Sequence, residues 1–460
     1  MRIPGCSFKC PNTSFTIPNT RLLSAPAYFP PTAFRTPHAA VGGRASQEAS
    51  FEGAATMSDH THSPFTDRTT LAAAREQLDK IVSAHGRTET VPLGEADGRV
   101  VGEQITAARN VPHYQRAAMD GYAVRAEDTF GASDRSPQAL RRSDDAVGPG
   151  QAAQVHTGSE LPEGANAVIM IEQVEEVGEE VELFEAVGEG ENVAPVGEDV
   201  EAGDPLYDPG HRLRPSDLGL LKSVGRDSVT VYEQPDVAVI PTGEELVQED
   251  PGPGEIIETN GLTVSKLAAR WGGDPRYLDI VTDDEDALAD ALRDNSDADV
   301  VVTTGGSSVG KRDLLPDVVG DLGEVHVRGV GIKPGHPVGI GTVEGTPVLM
   351  LPGYPVSCLV NAVQFLRPAI AWLTDAEPDP FPTVEARLEE KVFSEPGIRS
   401  FARVQLDQRD DETVATTVRA SGAGVLSSVA LSDGWVVVPE ESEGLPAGET
   451  VSVERWEWLA

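Results

Sequence analysis

The chain has 460 residues, 39% of them hydrophobic, and a formal charge of −39 spread along its length. That length suits about three domains. The charge excludes nucleic acid as a partner, because no basic stripe exists to meet phosphates. The longest apolar runs read as shorter than a membrane span, so no membrane partner is expected. Such acidity predicts adaptation to high salt, where a Debye length of about 3 Å at ~1 M screens self-repulsion.

Residues 1–56 break the pattern. Five basic residues (Arg2, Lys9, Arg21, Arg35, Arg44) face only Glu48 and Glu52, so this piece is +3 and the rest −42. It also carries Cys6 and Cys10, two of three cysteines. A targeting or metal-binding extension is one reading, although no apolar signal core is present. The compositional break favours the other, a start at Met57 with 1–63 forming a poorly structured extension. With Cys358 alone in the body, a reducing, cytoplasmic compartment is expected.

From Asp67 to Ala84, Leu71, Ala74, Leu78 and Ile81 recur at helical spacing, with Glu76 and Lys80 four apart. Short β segments follow, "VPLGEADGRVVGEQITAARNVP" and "AVIMIEQVEEVGEEVELFEAV", punctuated by glycine turns. A helix is predicted after the Ser216 cap. Residues 64–233 read as a composite α+β region with an inserted β subdomain.

From Pro235 strands and helices alternate. "DVAVIPT" is a buried strand, and "NGLTVSKLAARW" a helix capped by Asn260 with Leu262, Leu267 and Trp271 on its apolar side. "RYLDIVTDD" is a second strand, and "DEDALADALRDN" a helix with Leu288 and Leu292 on one face. "ADVVVTTGG", "EVHVRGVGIKPG" and "TPVLMLPG" are further strands, with short helix "DLLPDVVGDL" before the second of these. "PVSCLVNAVQFLRPAIAWL" is a long helix. The alternation predicts a parallel sheet covered on both faces over 234–377. "DAEPDPFPT" (375–383) reads as a linker, and 381–458 as a small β domain. The fold class is multidomain α/β plus β.

In open α/β sheets ligands bind beyond the carboxyl ends of the strands. Here those ends carry "TGEEL" (242–246), "TDD" (282–284), "TTGGSSVGKRD" (303–313), "KPGHP" (333–337) and "LPGYP" (352–356). Any one such loop is weak, since turns are routinely Gly- and Pro-rich; five together mark a site. Gly305-x4-Gly310-Lys311 has P-loop spacing, but Arg312 stands where a hydroxyl would hold magnesium, and Asp313 follows. Gly305 and Gly306 let backbone N–H groups approach phosphate oxygens, with Ser307 and Ser308 as added donors. Lys333 supplies a point charge. Glu245, Asp283 and Asp313 are hard oxygen ligands suited to Mg2+.

These residues resemble the molybdopterin molybdenumtransferases, the molybdenum insertases of the MoeA and gephyrin E-domain type. "AAMDGYAV" (117–124), "HTGSELPEGANAVIMIE" (156–172), "VGEDV" (196–200), "TGEEL", "GGSSVG..D", "KPG.P", "LPG.PVS" and "GVLSSVALSDGWVVVPE" (424–440) are similar to its motifs in order. The resemblance covers about Phe65 to Val453. It implies four subdomains in a homodimer with active sites shared between protomers. The implied reaction inserts molybdate into adenylated molybdopterin, giving molybdenum cofactor and AMP with Mg2+.

Carried onto this chain, Asp120, Asp199, Glu245 and Asp283 are the acidic catalytic residues, with Asp313, Glu245 and Asp283 serving the metal. Substrate oxygens fall to Thr157, Gly158, Gly305, Gly306, Ser307, Ser308, Lys333, Gly335, His336, Pro352, Gly353 and Ser357. For Asp120 the bland reading is a capping aspartate in a glycine turn. Two departures stand out. His336 and Tyr354 occupy places where the family has Lys and Asn, which opens fine selectivity, tungstate against molybdate included. The rival activities are molybdopterin adenylyltransferase, which resembles 235–375 alone, and a gephyrin-like peptide scaffold. Transient contact with other cofactor-synthesis enzymes is also expected.

Overall fold

The computed structural model describes residues 69–306, 314–418 and 424–457. The predicted extension, and with it Cys6, Cys10 and Met57, lies outside them.

Helix α1 (Leu71–Ile81) forms where its apolar spacing predicts, capped by the Thr70 side chain, with Glu76 and Lys80 paired at 2.9 Å. Beyond it, strand 88–92 pairs antiparallel with 228–232. Between them sits a six-stranded sheet built from residues 121–183. The helix predicted from a Ser216 cap starts earlier: Arg214 is the cap, Pro215 opens Pro215–Ser223, and Asp217 reaches back to the Arg214 backbone N–H at 2.9 Å. Proline needs no N–H partner at that position, which is why it takes the first turn.

The central domain holds a sheet of β1 (Asp236–Ile240), β2 (Asp274–Tyr277), β3 (Val300–Thr304), β4 (Gly323–Arg328), β5 (Gly339–Val343) and β6 (Thr346–Leu351), in the spatial order 2-1-3-6-5-4. Alternate residues face opposite layers. Val237, Val239, Val300, Val302, Leu349 and Leu351 pack with α1, with α2 (Asn260–Arg270) and with the helical run 355–373. Ala238, Ile240, Val301, Val348 and Met350 pack with α3 (Glu285–Asp294) and α4 (Leu314–Leu322). Both faces are covered at the centre of the sheet, so β1, β3 and β6 are buried almost throughout, whereas the edge strands β2 and β4 carry polar, partly exposed residues.

The sheet is mixed where a wholly parallel one was expected. β2, β1, β3 and β6 are parallel, but β5 is antiparallel to both β6 and β4. The cause is local: Glu344 and Gly345, at φ 52° and 92°, form a two-residue hairpin turn of the kind that reverses a strand. Asn260 is the first residue of α2 rather than its cap, which is Thr259, and Leu262 is 48% exposed.

The expectation of short apolar runs also fails at Pro355–Leu373, long and apolar enough to cross a membrane. Its apolar window is 89% buried inside the fold, which makes it a core helix. A π turn interrupts it at Ala362–Leu366.

The C-terminal part is a closed five-stranded barrel. Strand 399–409 pairs with both 412–417 and 434–438, and strands 383–388 and 450–454 complete the ring. Residues Ile332–Lys333 join it as a short parallel strand on 399–400. Trp435 and Trp456 stack at 4.9 Å within the core shared with the central domain.

Candidate functional site

Four parallel strands, and β4 through two reversals, open at one edge of the central sheet. The loops at 242–245, 281–284, 305–306, 333–337 and 352–354 therefore meet there. Hydrogen bonds join neighbours: Gly243 N–H to the Val281 carbonyl (3.0 Å) and Gly305 N–H to the Leu351 carbonyl (3.1 Å). The Asn260 amide donates to the Gly353 carbonyl (2.8 Å), and Asn361 to those of Gly335 (2.9 Å) and Ser357 (2.8 Å). At Gly305, φ is 152° and a Cβ would lie 2.1 Å from the Thr242 carbonyl oxygen, so only glycine allows this turn.

The rim is polar but incompletely satisfied. Thr242 Oγ1, Thr303 Oγ1, Thr304 Oγ1, Asp283 Oδ1 and Asn361 Oδ1 are buried without a hydrogen-bond partner among the described residues. Burial raises the Asp283 carboxyl above its ordinary value, and the charges of Glu245 and Glu244 push it the same way. A half-buried carboxylate beside two others, with one oxygen unpartnered, suits a hard cation. Among the described residues no three His, Cys, Asp or Glu gather to hold a metal alone. Magnesium asks less of a protein, since one or two carboxylates with substrate phosphates and waters suffice. Asp283 with Glu245 fits that demand.

On the anion side, the Lys333 ammonium sits 2.9 Å from Glu395, both side chains exposed. Its expected point charge is thus neutralised on the surface, by a bridge weak enough for a ligand to displace. His336 is half-buried and its carbonyl accepts the Val330 N–H at 2.9 Å. Pro352 and Ser357 are buried, whereas Gly353 is exposed. Ser307, Ser308 and Asp313, with Gly310, Lys311 and Arg312, lie outside the described residues.

A second group forms in the N-terminal region. Asp120 Oδ1 accepts from the Thr157 N–H (2.6 Å) and hydroxyl (2.9 Å), and these bonds hold its carboxyl below the ordinary range. This is a staple between two loops rather than a cap within its own turn. Gly158, at φ 87°, donates to the Ala117 carbonyl at 2.8 Å, so the turn at 118–120 and the HTGSE loop form one exposed feature, while Gly121–Val124 is a buried strand. Asp199 is exposed on another loop, its N–H bound to the Val111 carbonyl at 2.9 Å. The structure thus unites Asp120, Thr157 and Gly158 and, in a separate place, Glu245, Asp283, Gly305, Gly306, Gly335, Gly353 and Ser357.

Sequence reasoning missed Glu258. It is buried, accepts the Gly261 N–H at 2.6 Å and the Tyr277 hydroxyl, and so anchors α2 behind the rim. A glutamate directly before a helix start was the available signal. Asn361 gave none, being one of several polar residues scattered through a largely apolar helix.

Comparison with known proteins adds a sequence-wide result. Residues 69–225 match the MoeA N-terminal region (domains I and II), 238–372 the probable molybdopterin binding domain, and 385–456 the MoeA C-terminal region (domain IV). A molybdopterin biosynthesis protein of Methanocaldococcus jannaschii is 37% identical over 390 residues, 82% of this chain and 94% of that one. The chain belongs to the MoeA family. The molybdopterin molybdenumtransferase of Bacillus subtilis is 32% identical over 400 residues, covering 81% and 93% of the two chains. A solved moeA protein of Pyrococcus horikoshii superposes with a TM-score of 0.74 at 32% identity, over 84% of this chain and 99% of that one. The multidomain α/β plus β architecture is thus that of the family. The whole rim falls inside the 238–372 match, and Asp120, Thr157 and Asp199 inside the 69–225 match.

Proposed function

We propose that this chain is a soluble molybdopterin molybdenumtransferase that inserts molybdate into adenylated molybdopterin, with release of AMP. Its relatives place it in molybdenum cofactor biosynthesis as a transferase. The observation that carries the site assignment is Asp283, half-buried with an unpartnered oxygen, flanked by Glu244 and Glu245 on the edge that bears Gly305–Gly306.

In this reading the Gly305–Gly306 turn presents backbone N–H groups to the adenylate phosphate. Asp283 and Glu245, with Asp313 from the loop outside the described residues, would hold Mg2+, which would supply electrophilic stabilisation of phosphate oxygens. Asn260 and Asn361 keep the Gly353 and Gly335 loops at fixed positions around the substrate. Lys333 and His336 meet oxyanion charge once the Glu395 bridge opens.

The exposed Asp120–Thr157 staple lies apart from the rim, and in the homodimer that the family resemblance implies it would complete the rim of the other protomer. The cytoplasm is the compartment that suits such a biosynthetic enzyme, and high salt the medium that suits its charge.

The test is incubation with adenylated molybdopterin, Mg2+ and molybdate or tungstate, following AMP. Oxyanion-dependent AMP release is expected, reduced roughly a hundredfold in Asp313→Asn, the scale of losing one electrostatic stabiliser. Mixing Asp120→Asn with Asp283→Asn protomers should restore activity that neither homodimer has. Absence of AMP release refutes the reaction, and failure of mixing refutes the shared site.

A further inference from the structure

Between the central domain and the barrel, α1, the 355–373 helix, the 375–383 linker and barrel strand 399–409 line an open cavity of about 470 Å3. Three arginines line it: Arg75 from α1, Arg367 from the long helix and Arg399 from the barrel. In a chain of net charge −39 such a gathering runs against the bulk composition.

Each arginine is held by at least one structural partner. Arg75 donates to the carbonyl (3.0 Å) and amide oxygen (2.7 Å) of Gln364, within the π turn. Arg367 donates to the Asp379 carbonyl and lies 4.0 Å over the Phe381 ring, holding the linker. Arg399 donates through Nε to Glu440 at 2.7 Å. A guanidinium carries five N–H donors, so most of each cluster member lacks an acceptor among the described residues.

Three acids, Glu377, Asp379 and Glu454, line the same cavity, as many as the arginines. Glu454 accepts the Trp435 indole N–H at 2.8 Å, while Glu377 and Asp379 are exposed. Burial lowers the Arg75 guanidinium from its ordinary value, and the charge of Arg399 adds to that. Burial acts likewise on Arg367, with Arg212 and Arg75 adding to it against Asp379 and Glu454. Trp372, Phe381 and Phe401 supply ring faces in the same cavity. Its volume lies within the usual range for small-molecule sites.

We propose that this cavity binds a small phosphate monoester on a planar ring, its phosphate on Arg75, Arg367 and Arg399 and its ring beside Trp372 and Phe381. Three forks exceed what the two oxygens of a carboxylate can use, whereas a phosphate offers three. The π turn fits such a role, since these irregular turns concentrate at functional sites.

Phenyl phosphate is the probe, titrated into the full chain and followed by tryptophan fluorescence, with Trp372→Phe identifying the reporting residue. A saturable change that disappears in Trp372→Phe is expected, competed more weakly by inorganic phosphate. Arg75→Gln should weaken binding roughly tenfold or more, the scale of one charged hydrogen-bonding partner. Asp283→Asn should leave it unchanged, which separates the cavity from the rim. If Arg75→Gln fails to fold by circular dichroism, Arg399→Lys takes its place with the same expectation, because it keeps charge but loses the fork. No saturable change in the wild type, equal affinity in the arginine variant, or loss of binding in Asp283→Asn overturns the proposal.

Discussion

The side-chain amide of Asn361 donates at 2.9 Å to the carbonyl of Gly335, which belongs to the loop between β4 and β5. A Cβ at Gly335, where φ is 114°, would stand 2.3 Å from that same nitrogen. Gly335→Ala must therefore displace Asn361 or the loop. Lower melting temperature and lower AMP release are expected together. Asn361→Ala strands the Gly335 carbonyl and should cost about 1–3 kcal/mol, read by denaturant unfolding. Unchanged stability in both variants would remove the clamp.

Asp283→Asn separates catalysis from stability. The native carboxylate is partly buried, has one oxygen without a partner among the described residues and sits beside two like charges, so its ionised form is a burden on the fold. Melting temperature is expected to hold or rise, while Mg2+-dependent AMP release falls roughly a hundredfold. A melting temperature several degrees lower would instead make Asp283 structural.

Acid should unfold the protein partly through Asp217. Burial alone would raise this carboxyl, but hydrogen bonds from Arg214, His211 and Tyr207 hold it well below the usual range. A depressed folded-state value contributes stability above the unfolded value near 3.9, and that share is lost as pH falls further. Wild type should lose melting temperature more steeply than Asp217→Asn between about pH 4 and 2. At pH 7 the variant should be about 1–3 kcal/mol less stable. Parallel acid profiles would contradict this.

The charge balance predicts salt dependence. With −39 on the chain, the melting temperature should be lower at ~0.1 M than at ~2 M monovalent salt, as the Debye length shrinks from about 10 Å to below 3 Å. A flat profile would dismiss the halophilic reading.

Tyr354 is 64% exposed at the rim, its ring placed so that a Cβ on Gly424 of the C-terminal part would lie 3.3 Å from Cδ1. Tyr354→Asn removes a ring that limits access between the two. The ratio of molybdate to tungstate turnover should shift, with stability within about 0.5 kcal/mol as for ordinary surface changes. An unchanged ratio would place Tyr354 outside the selective contacts.

The elements legible in the sequence were those with strong local patterns. Val300–Thr304 reads as a buried strand because every residue is apolar or β-branched, and Leu71–Ile81 as a helix because its apolar residues fall on one face. β5 was not legible, because Gly339 and Gly341 interrupt the alternation and the reversing Glu344–Gly345 turn passed as ordinary loop. Asn260 was visible as a helix-start residue, yet its bond runs to Gly353, 93 positions away.

By itself the sequence determined most of the order of strands and helices, the polar loops at strand ends and the family, because periodicity, turn chemistry and motif order are properties of neighbouring residues. Only the tertiary structure decided which way β5 runs and that the C-terminal strands close into a barrel. It also decided which oxygens at the rim lack partners, and that Arg75 meets Gln364 across 289 positions beside two other arginines. Those outcomes depend on burial and hydrogen bonding between distant segments, and chain-local patterns carry no record of which segments meet.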